Sequence, residues 1–315
     1  MMHLPTPENP LRIGTRASPL ARAQADMAAE ALMAAHDLAP GALEIVAMTA
    51  IGDRIQDRAL AEVGGKALWT KELDHALDAG TIDIAVHSLK DVETWRDARF
   101  ALVAMLERAD PRDKLVLPQG REAQSIMDLP PGTRLGTSSP RRAAQVRRIR
   151  PDIVPMLLRG NVATRLSKLA AGDVDATLLA AAGLNRLGMA DIGIAQNIDI
   201  LLPAASQGAI GIECRSDDED RIKLLTAVNH APTFDAVAAE RAFLAGVGGD
   251  CRSPVAAHAR WLDNGALWLD AEIYSADGHE HVVRHMLVDG LESVKELAQA
   301  MLADAPPAVR SLFGG

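Results

Sequence analysis

The run His87-Ser88-Leu89-Lys90-Asp91 ends on a carboxylate beside an ammonium and three residues from a serine hydroxyl. Such a carboxylate can steady a developing positive charge or take part in proton transfer. Arginines and hydroxyls recur at similar places elsewhere: Arg16 and Ser18 follow one apolar run, Thr137, Ser138, Ser139, Arg141 and Arg142 another, and Arg159 and Asn161 a third. Arginine forks suit planar carboxylates and phosphates, and hydroxyls and helix N-termini add donors. Ser18 and Ser139 also precede prolines, where they would serve equally as helix caps. The two cysteines differ in setting. Cys214 lies in the strand-like run Ala209-Ile-Gly-Ile-Glu-Cys214 and reads as a buried, inert thiol. Cys251 follows the glycine-rich stretch Gly246-Val-Gly-Gly-Asp250 and precedes Arg252, a setting for an exposed thiol that a cation can activate. Neither has metal-type C-x-x-C spacing, so no metal site is expected.

These groups need a frame. Apolar patterning predicts a strand over 11–15 and then a helix, with Ser18 as its cap, Pro19 in its first turn and Leu20, Ala23, Met27, Ala31 and Ala35 as its apolar stripe. Strands follow over 43–49, 82–86 and 100–106, with a helix over 68–79, which reads as α/β with a mainly parallel sheet. The pattern then restarts. Arg134-Leu-Gly-Thr-Ser-Ser-Pro echoes Arg12-Ile-Gly-Thr-Arg-Ala-Ser-Pro, and Gly172-Asp-Val-Asp175 echoes Gly80-Thr-Ile-Asp83. The offsets, 121 and 92, differ, so two domains of similar architecture follow and a simple tandem duplication does not. Open sheets of this kind bind ligands beyond the carboxyl ends of their strands, where the polar clusters fall. The expected ligand carries several anionic groups and lies between the two domains. Beyond residue 230, alternating runs over 255–261, 266–274 and 281–288 with Asn-Gly and Asp-Gly turns, flanked by helices over 234–245 and 291–303, predict a third, α+β domain.

With 315 residues, 48% apolar and 24% charged, the chain has the make-up of a multidomain globular protein. It has no apolar run long enough to span a membrane. Its start, MMHLPTPENP, lacks the apolar stretch of a secretory signal, and a cytoplasmic location is expected. Net charge is −9, yet residues 134–168 carry nine basic residues against Asp152 alone, so that segment is +8 and the remainder −17. Nucleic acid is disfavoured as the partner, because the island has no aromatic residue for stacking and the rest of the chain repels phosphate. Arg147, Arg148 and Arg150 read equally as a solvated helix face. Lys66, after Gly64 and Gly65, lacks phosphate-loop spacing and is better placed to reach an anion from a glycine-rich cover. Trp69 reads either as core filling or as a flat wall against an aromatic ligand.

Taken in order, Arg16-Ala-Ser-Pro-Leu-Ala-Arg-Ala-Gln24, Gly64-Gly-Lys66, His87-Ser-Leu-Lys-Asp-Val92, Glu107-Arg-Ala-Asp-Pro-Arg-Asp113, Gly136-Thr-Ser-Ser-Pro-Arg-Arg142, Leu158-Arg-Gly-Asn161, Thr164-Arg-Leu-Ser-Lys168, Ala182-Gly-Leu-Asn-Arg186, Gln207-Gly-Ala-Ile-Gly-Ile-Glu-Cys-Arg215 and Glu240-Arg241 with Cys251 span nearly the whole chain. In that order they resemble the hydroxymethylbilane synthase, or porphobilinogen deaminase, family. The resemblance implies two similar doubly wound, type II periplasmic-binding-protein-like α/β domains around a cleft. It adds a smaller C-terminal α+β domain with a three-stranded antiparallel sheet. The implied boundaries are 1–107 with 207–227, then 108–206, then 228–315. It also implies a cytoplasmic, monomeric transferase of tetrapyrrole and heme biosynthesis, with no nucleic-acid or membrane partner, that deaminates four porphobilinogen molecules and joins them head to tail into hydroxymethylbilane on a covalent dipyrromethane cofactor.

Residue by residue, the resemblance makes Cys251 the cofactor-bearing thiol and Asp91 the catalytic aspartate. It makes Arg16, Ser18, Lys90, Arg141, Arg142, Arg159, Arg165 and Arg186 holders of the pyrrole acetate and propionate arms. Lys66, Ser88, Thr137, Ser138, Ser139 and Gln207 become further cofactor or substrate contacts. Porphobilinogen must lose ammonia to become an electron-poor methylene-pyrrolenine, and a carboxylate near the pyrrole nitrogens would steady the charge that develops. The chain departs from the family pattern at Ala67-Leu-Trp69, at Glu93 where proline is usual, at Pro140, at Glu62 and at Asp250 before the cysteine.

Overall fold

Period-two alternation builds the first sheet and explains its two cores. In the computed structural model, which describes residues 3–49 and 70–313, β1 (Leu11–Arg16) buries Leu11 and Ile13 against one layer, while β2 (Leu43–Met48) turns Leu43 and Ile45 that way and Val46 and Met48 the other. One layer is α1 (Pro19–His36) with α6 (Glu219–Thr226); the other contains α2 (Lys71–Asp78). The strand order is β2-β1-β3-β10-β4, with β3 at Ile84–Ser88, β4 at Phe100–Met105 and β10 at Ile210–Arg215. Four strands run one way. The reversed one, β10, enters from a distant part of the sequence and pairs antiparallel with both β3 and β4. The parallel expectation therefore holds for all but one strand.

A second sheet repeats this plan in the order β7-β6-β8-β5-β9, with β5 at Asp113–Val116, β6 at Arg134–Thr137, β7 at Val154–Leu157, β8 at Ala176–Ala180 and β9 at Ile194–Ala195. Its reversed strand is β5. The helices α3 (Pro140–Ile149), α4 (Val162–Ala170) and α5 (Ala181–Arg186) follow β6, β7 and β8. The two sequence echoes meet in space within each sheet. Arg12 donates its backbone N, Nε and Nη2 to Asp83 at 2.8, 3.1 and 3.0 Å, and Arg134 does the same to Asp175 at 2.9, 3.0 and 3.0 Å. Each clamp joins the start of the first parallel strand to the loop before the third. The mid-strand glycine of the echo is a packing requirement: a Cβ on Gly136 would come within 2.6 Å of the Leu158 side chain, and one on Gly14 would collide with Ile82.

The C-terminal part forms β11 (Val255–Trp261), β12 (Leu267–Tyr274) and β13 (His281–Val288), an antiparallel sheet covered by α7 (Ala231–Gly246), α8 (Leu291–Asp304) and the short α9 (Pro307–Arg310). Its turns have Gly265 and Gly278 at φ +79° and +77°, as the Asn-Gly and Asp-Gly pairs predict. By contact density the described chain divides into two units: residues 3–49, 70–109 and 209–234 in the first, 110–208 and 235–313 in the second. The second unit holds both the repeated sheet and the C-terminal one. No helix of the described residues is long and apolar enough to cross a membrane.

One expectation fails locally. The buried face of α1 is Ala21, Gln24, Ala25, Ala28, Ala29 and Leu32, whereas Met27, from the predicted stripe, is exposed. In an alanine-rich helix several faces look apolar. The one chosen here includes a buried glutamine with a half-buried partner, Ser88.

Candidate active site

In the first unit, the carboxyl ends of β1 and β3 bring the first polar cluster together. Ser18 caps α1, its Oγ accepting from the Ala21 N–H at 3.3 Å. Ser88 ends β3, and the chain then makes a 3₁₀ turn, Leu89–Asp91, that carries Lys90 and Asp91. Arg16, Ser18, Gln24, His87, Ser88 and Asp91 all line one small cavity of about 50 Å³. Among the polar lining residues, sequence reasoning named Arg16, Ser18, His87, Ser88 and Asp91 but passed over Thr70 and Gln24. The Gln24 side chain is buried, and its amide pairs with the Ser88 hydroxyl, Nε2 and Oε1 lying 2.8 and 2.9 Å from Oγ. The signal was present, since Gln24 and Gln145 stand at matching places in the echo and both are buried. Lys66 and Trp69 lie outside the described residues.

The second unit gathers the arginines, in two groups. Arg141 and Arg142 are buried and share one buried carboxylate: Arg141 Nη2 donates to Asp113 Oδ2 at 2.8 Å and Arg142 Nη2 to Oδ1 at 2.7 Å. Gln207 joins them, its Nε2 donating to Asp113 Oδ1 at 2.8 Å and to the Pro111 carbonyl at 2.6 Å. Burial alone would raise the Asp113 pKa, and the two guanidiniums more than reverse that, holding it well below the usual carboxylate range. Two cations against one anion leave the cluster with a surplus positive charge.

The other group follows the ends of β6, β7 and β8. Thr137 accepts from the Ser139 N–H at 3.1 Å, and Ser139 caps α3 through the Arg142 N–H at 3.4 Å. Arg165 donates to the Gly160 carbonyl at 2.9 Å and reaches Ser138 Oγ at 3.4 Å. Arg159 is buried at the same end of the sheet, ahead of Asn161, which caps α4. Arg186, at the end of α5, donates to the Gly208 carbonyl at 2.6 Å, and its Nε is buried with no hydrogen-bond partner. Burial lowers its pKa to about 10, and among the described residues no carboxylate is paired with it. A half-buried guanidinium with an orphaned N–H has donor capacity left for an anion.

Arg147, Arg148 and Arg150 of the island bind to neighbouring parts of the fold. Arg150, which the sequence pattern reads as solvent-facing, donates to the carbonyls of Ile126, Met127 and Leu129 at 3.0, 2.8 and 2.7 Å and pairs with Asp152. Arg147 donates to the Ala276 carbonyl at 3.0 Å, and Arg148 lies 3.8 Å from Glu272.

The two thiols differ as their settings suggest. Cys214 is fully buried on β10, and burial pushes its pKa up to about 12. Cys251 is exposed, in a tight turn after α7 closed by the Ser253 N–H donating to the Asp250 carbonyl at 3.0 Å. Arg252, expected to favour the Cys251 thiolate, directs its guanidinium to Asp250 at 2.8 and 3.1 Å and also interacts electrostatically with Cys251. Asp250, one of the departures from the family pattern, offsets that cation.

Two family models cover most of the chain. Residues 11–223 match "Porphobilinogen deaminase, dipyromethane cofactor binding domain" and residues 234–303 match "Porphobilinogen deaminase, C-terminal domain". The chain belongs to the porphobilinogen deaminase family. It is 72% identical over 313 residues to the porphobilinogen deaminase of Sphingopyxis alaskensis, covering 99% of each chain. It is 44% identical over 310 residues to that of Paracoccus denitrificans, covering 97% of this chain and 98% of that one. Among solved structures, the periplasmic VFT2 domain of BvgS from Bordetella pertussis is 14% identical, with a TM-score of 0.41 over 69% of this chain and 86% of that one.

The residues present fit the family's dipyrromethane cofactor. An exposed thiol suits a thioether link, and the orphaned Arg186 Nε with the surplus charge around Asp113 suits a ligand bearing several carboxylates.

Proposed function

We propose that Cys251 carries the dipyrromethane cofactor and that Asp91 is the catalytic carboxylate of this hydroxymethylbilane synthase. As a member of its family the chain is a transferase of tetrapyrrole biosynthesis: it deaminates porphobilinogen and joins four units head to tail. The contrast between the two thiols supports the choice of cysteine. A thiol with a pKa near 12 inside a strand supplies almost no thiolate at neutral pH, whereas one on an exposed turn is reachable.

The cofactor supplies a terminal pyrrole with a nucleophilic α-carbon. Asp91, at the turn beyond β3, accepts hydrogen bonds from pyrrole N–H groups and stabilises the positive charge that develops as ammonia leaves the substrate. Arg16, Ser18 and Lys90 bind carboxylate arms at the same strand ends, and Ser88 is a further cofactor or substrate contact. Arg159, Arg165 and Arg186, with Thr137, Ser138 and Ser139, hold further carboxylates, Arg186 through its orphaned Nε. Lys66 and Trp69 belong to the same proposal. Arg141 and Arg142 contribute the surplus charge of the Asp113 cluster, and Gln207 donates a hydrogen bond to that carboxylate. Each added unit brings two more carboxylates, so a chain of arginines suits a growing ligand better than one tight site. We keep with this proposal the division into 1–107 with 207–227, 108–206 and 228–315, a cytoplasmic location and a monomeric state, which size-exclusion chromatography tests.

The test of function is incubation of the purified protein with porphobilinogen. Ammonia release with accumulation of hydroxymethylbilane is expected. Porphobilinogen left unconsumed by cofactor-loaded protein would overturn the reading.

A further inference from the structure

The residues just beyond Asp91 form a charge cluster that the proposed chemistry does not use, and Arg96 stands at its centre. Its guanidinium donates to Glu213 at 2.9 and 2.7 Å, to Asp74 at 2.7 and 3.2 Å and to Glu93 at 3.1 Å. These acids come from three places: Glu213 from β10, Asp74 from α2, and Glu93 from the segment leaving the Asp91 turn. Thr70, fully buried, donates its hydroxyl to the Glu93 carboxylate at 2.9 and 3.0 Å. Glu213 is also fully buried, with His87 Nε2 3.1 Å away, and the Arg96 guanidinium lies over the Phe100 ring at 5.6 Å.

Stability is a weak explanation for such a cluster, because desolvating one cation and three acids offsets much of their attraction. Its geometry does something else. The stretch 93–99 lies in neither helix nor strand, yet it follows directly on the turn that presents Lys90 and Asp91. Within that stretch Glu93, two residues past Asp91, is tied by Thr70 and Arg96. We propose that Arg96 is a positioning residue for Asp91. By binding Glu93 to α2 and β10, it fixes where the Asp91 turn ends and hence where its carboxylate stands. The inference rests on the reading of Asp91 as the catalytic carboxylate.

The experiment compares Arg96→Ala, Arg96→Lys and Glu93→Gln with wild type and with Asp91→Asn, each matured with porphobilinogen and checked for the cofactor by intact mass. Single-turnover ammonia release, kcat and KM, and amide hydrogen exchange over 88–96, are all measured on loaded protein. Arg96→Ala should slow ammonia release by ~10- to 100-fold, as expected for a misplaced catalytic group, with KM within about threefold of wild type. Exchange over 88–96 should quicken. Arg96→Lys should recover only part of the rate, since an ammonium cannot hold three carboxylates in fork geometry, and Glu93→Gln should fall between.

Wild-type ammonia release and exchange in Arg96→Ala would overturn the proposal, even with a lowered Tm, because a merely structural role moves Tm and not kcat. Should that variant not fold, wild-type values in Glu93→Gln would do the same. Full activity in Asp91→Asn would refute the reading of Asp91 and take this proposal with it, whereas an inactive Asp91→Asn beside a normal Arg96→Ala refutes this proposal alone.

Discussion

At Asp91, exchanging one carboxylate oxygen for an amide nitrogen separates an electrostatic role from a structural one. Asp91→Asn keeps the size of the side chain and removes its charge, so the protein should fold and retain the cofactor when that is supplied during maturation. Single-turnover ammonia release should still fall by at least ~100-fold, the usual range for losing a principal charge-stabilising or acid–base group. Asp91→Glu keeps the charge but displaces it by a methylene and should retain more activity than Asn. A near wild-type rate in Asp91→Asn would make the residue structural. At the arginines, Lys should fail to substitute fully at Arg159, Arg165 and Arg186, since a point charge does not reproduce a fork. Full activity in all three Lys variants would remove them from the carboxylate sites.

Elements, not single residues, decide how the fold responds to pH. Asp113 on β5 and Glu213 on β10 are fully buried carboxylates on the reversed strands of the two sheets. Burial works against the charge of each. For Glu213, His87 and Arg96 more than reverse this and bring its pKa down to about 2; for Asp113, Arg141 and Arg142 do so. Because both pKa values lie lower in the fold than in the unfolded chain, the stability they contribute is complete above about pH 5 and is lost as the pH falls toward their folded values. Asp113→Asn should destabilise the protein at pH 7 by about 3–5 kcal/mol, because two buried guanidiniums lose their counter-charge. The difference from wild type should shrink below about pH 3, where carboxyls protonate. Denaturant unfolding at both pH values measures it, and an equal deficit at both would contradict the account. Arg150→Ala removes donors to three carbonyls around the 3₁₀ turn Ile126–Asp128 and should cost about 1–2 kcal/mol, with cofactor-loaded activity unchanged. An unaltered Tm would return Arg150 to the solvated face.

Across the whole molecule, local signals were legible in the sequence and long-range pairings were not. The Ser-Pro caps, the turns at Gly265 and Gly278 and the three C-terminal strands could be read because each depends on neighbours in sequence. β5 went unread, for its sequence Asp-Lys-Leu-Val opens with two charges that look like a loop, yet both are buried. Asp113 makes sense in that strand only once Arg141 and Arg142 are brought to it from almost thirty residues away. The same blindness inflated the +8 island. Arg134 is matched by Asp175, Arg141 and Arg142 by Asp113, and Arg148 by Glu272, all acids outside the segment. Arg186, beyond the island, is the guanidinium with a buried, unpartnered Nε and no paired carboxylate among the described residues. The candidate site was legible at Asp91, Cys251 and the strand-end serines, and Gln24 was legible through its echo with Gln145, while the Arg96 cluster needed the fold.

The claim on which the rest depends is that Cys251 holds two pyrrole units. Intact mass of the purified protein, followed by peptide mapping, tests it most directly. The account predicts a covalent adduct of two pyrrole units on the peptide containing Cys251, and its absence, with loss of activity, in Cys251→Ser. An adduct mapped to Cys214, or a fully active protein of unmodified mass, would contradict it.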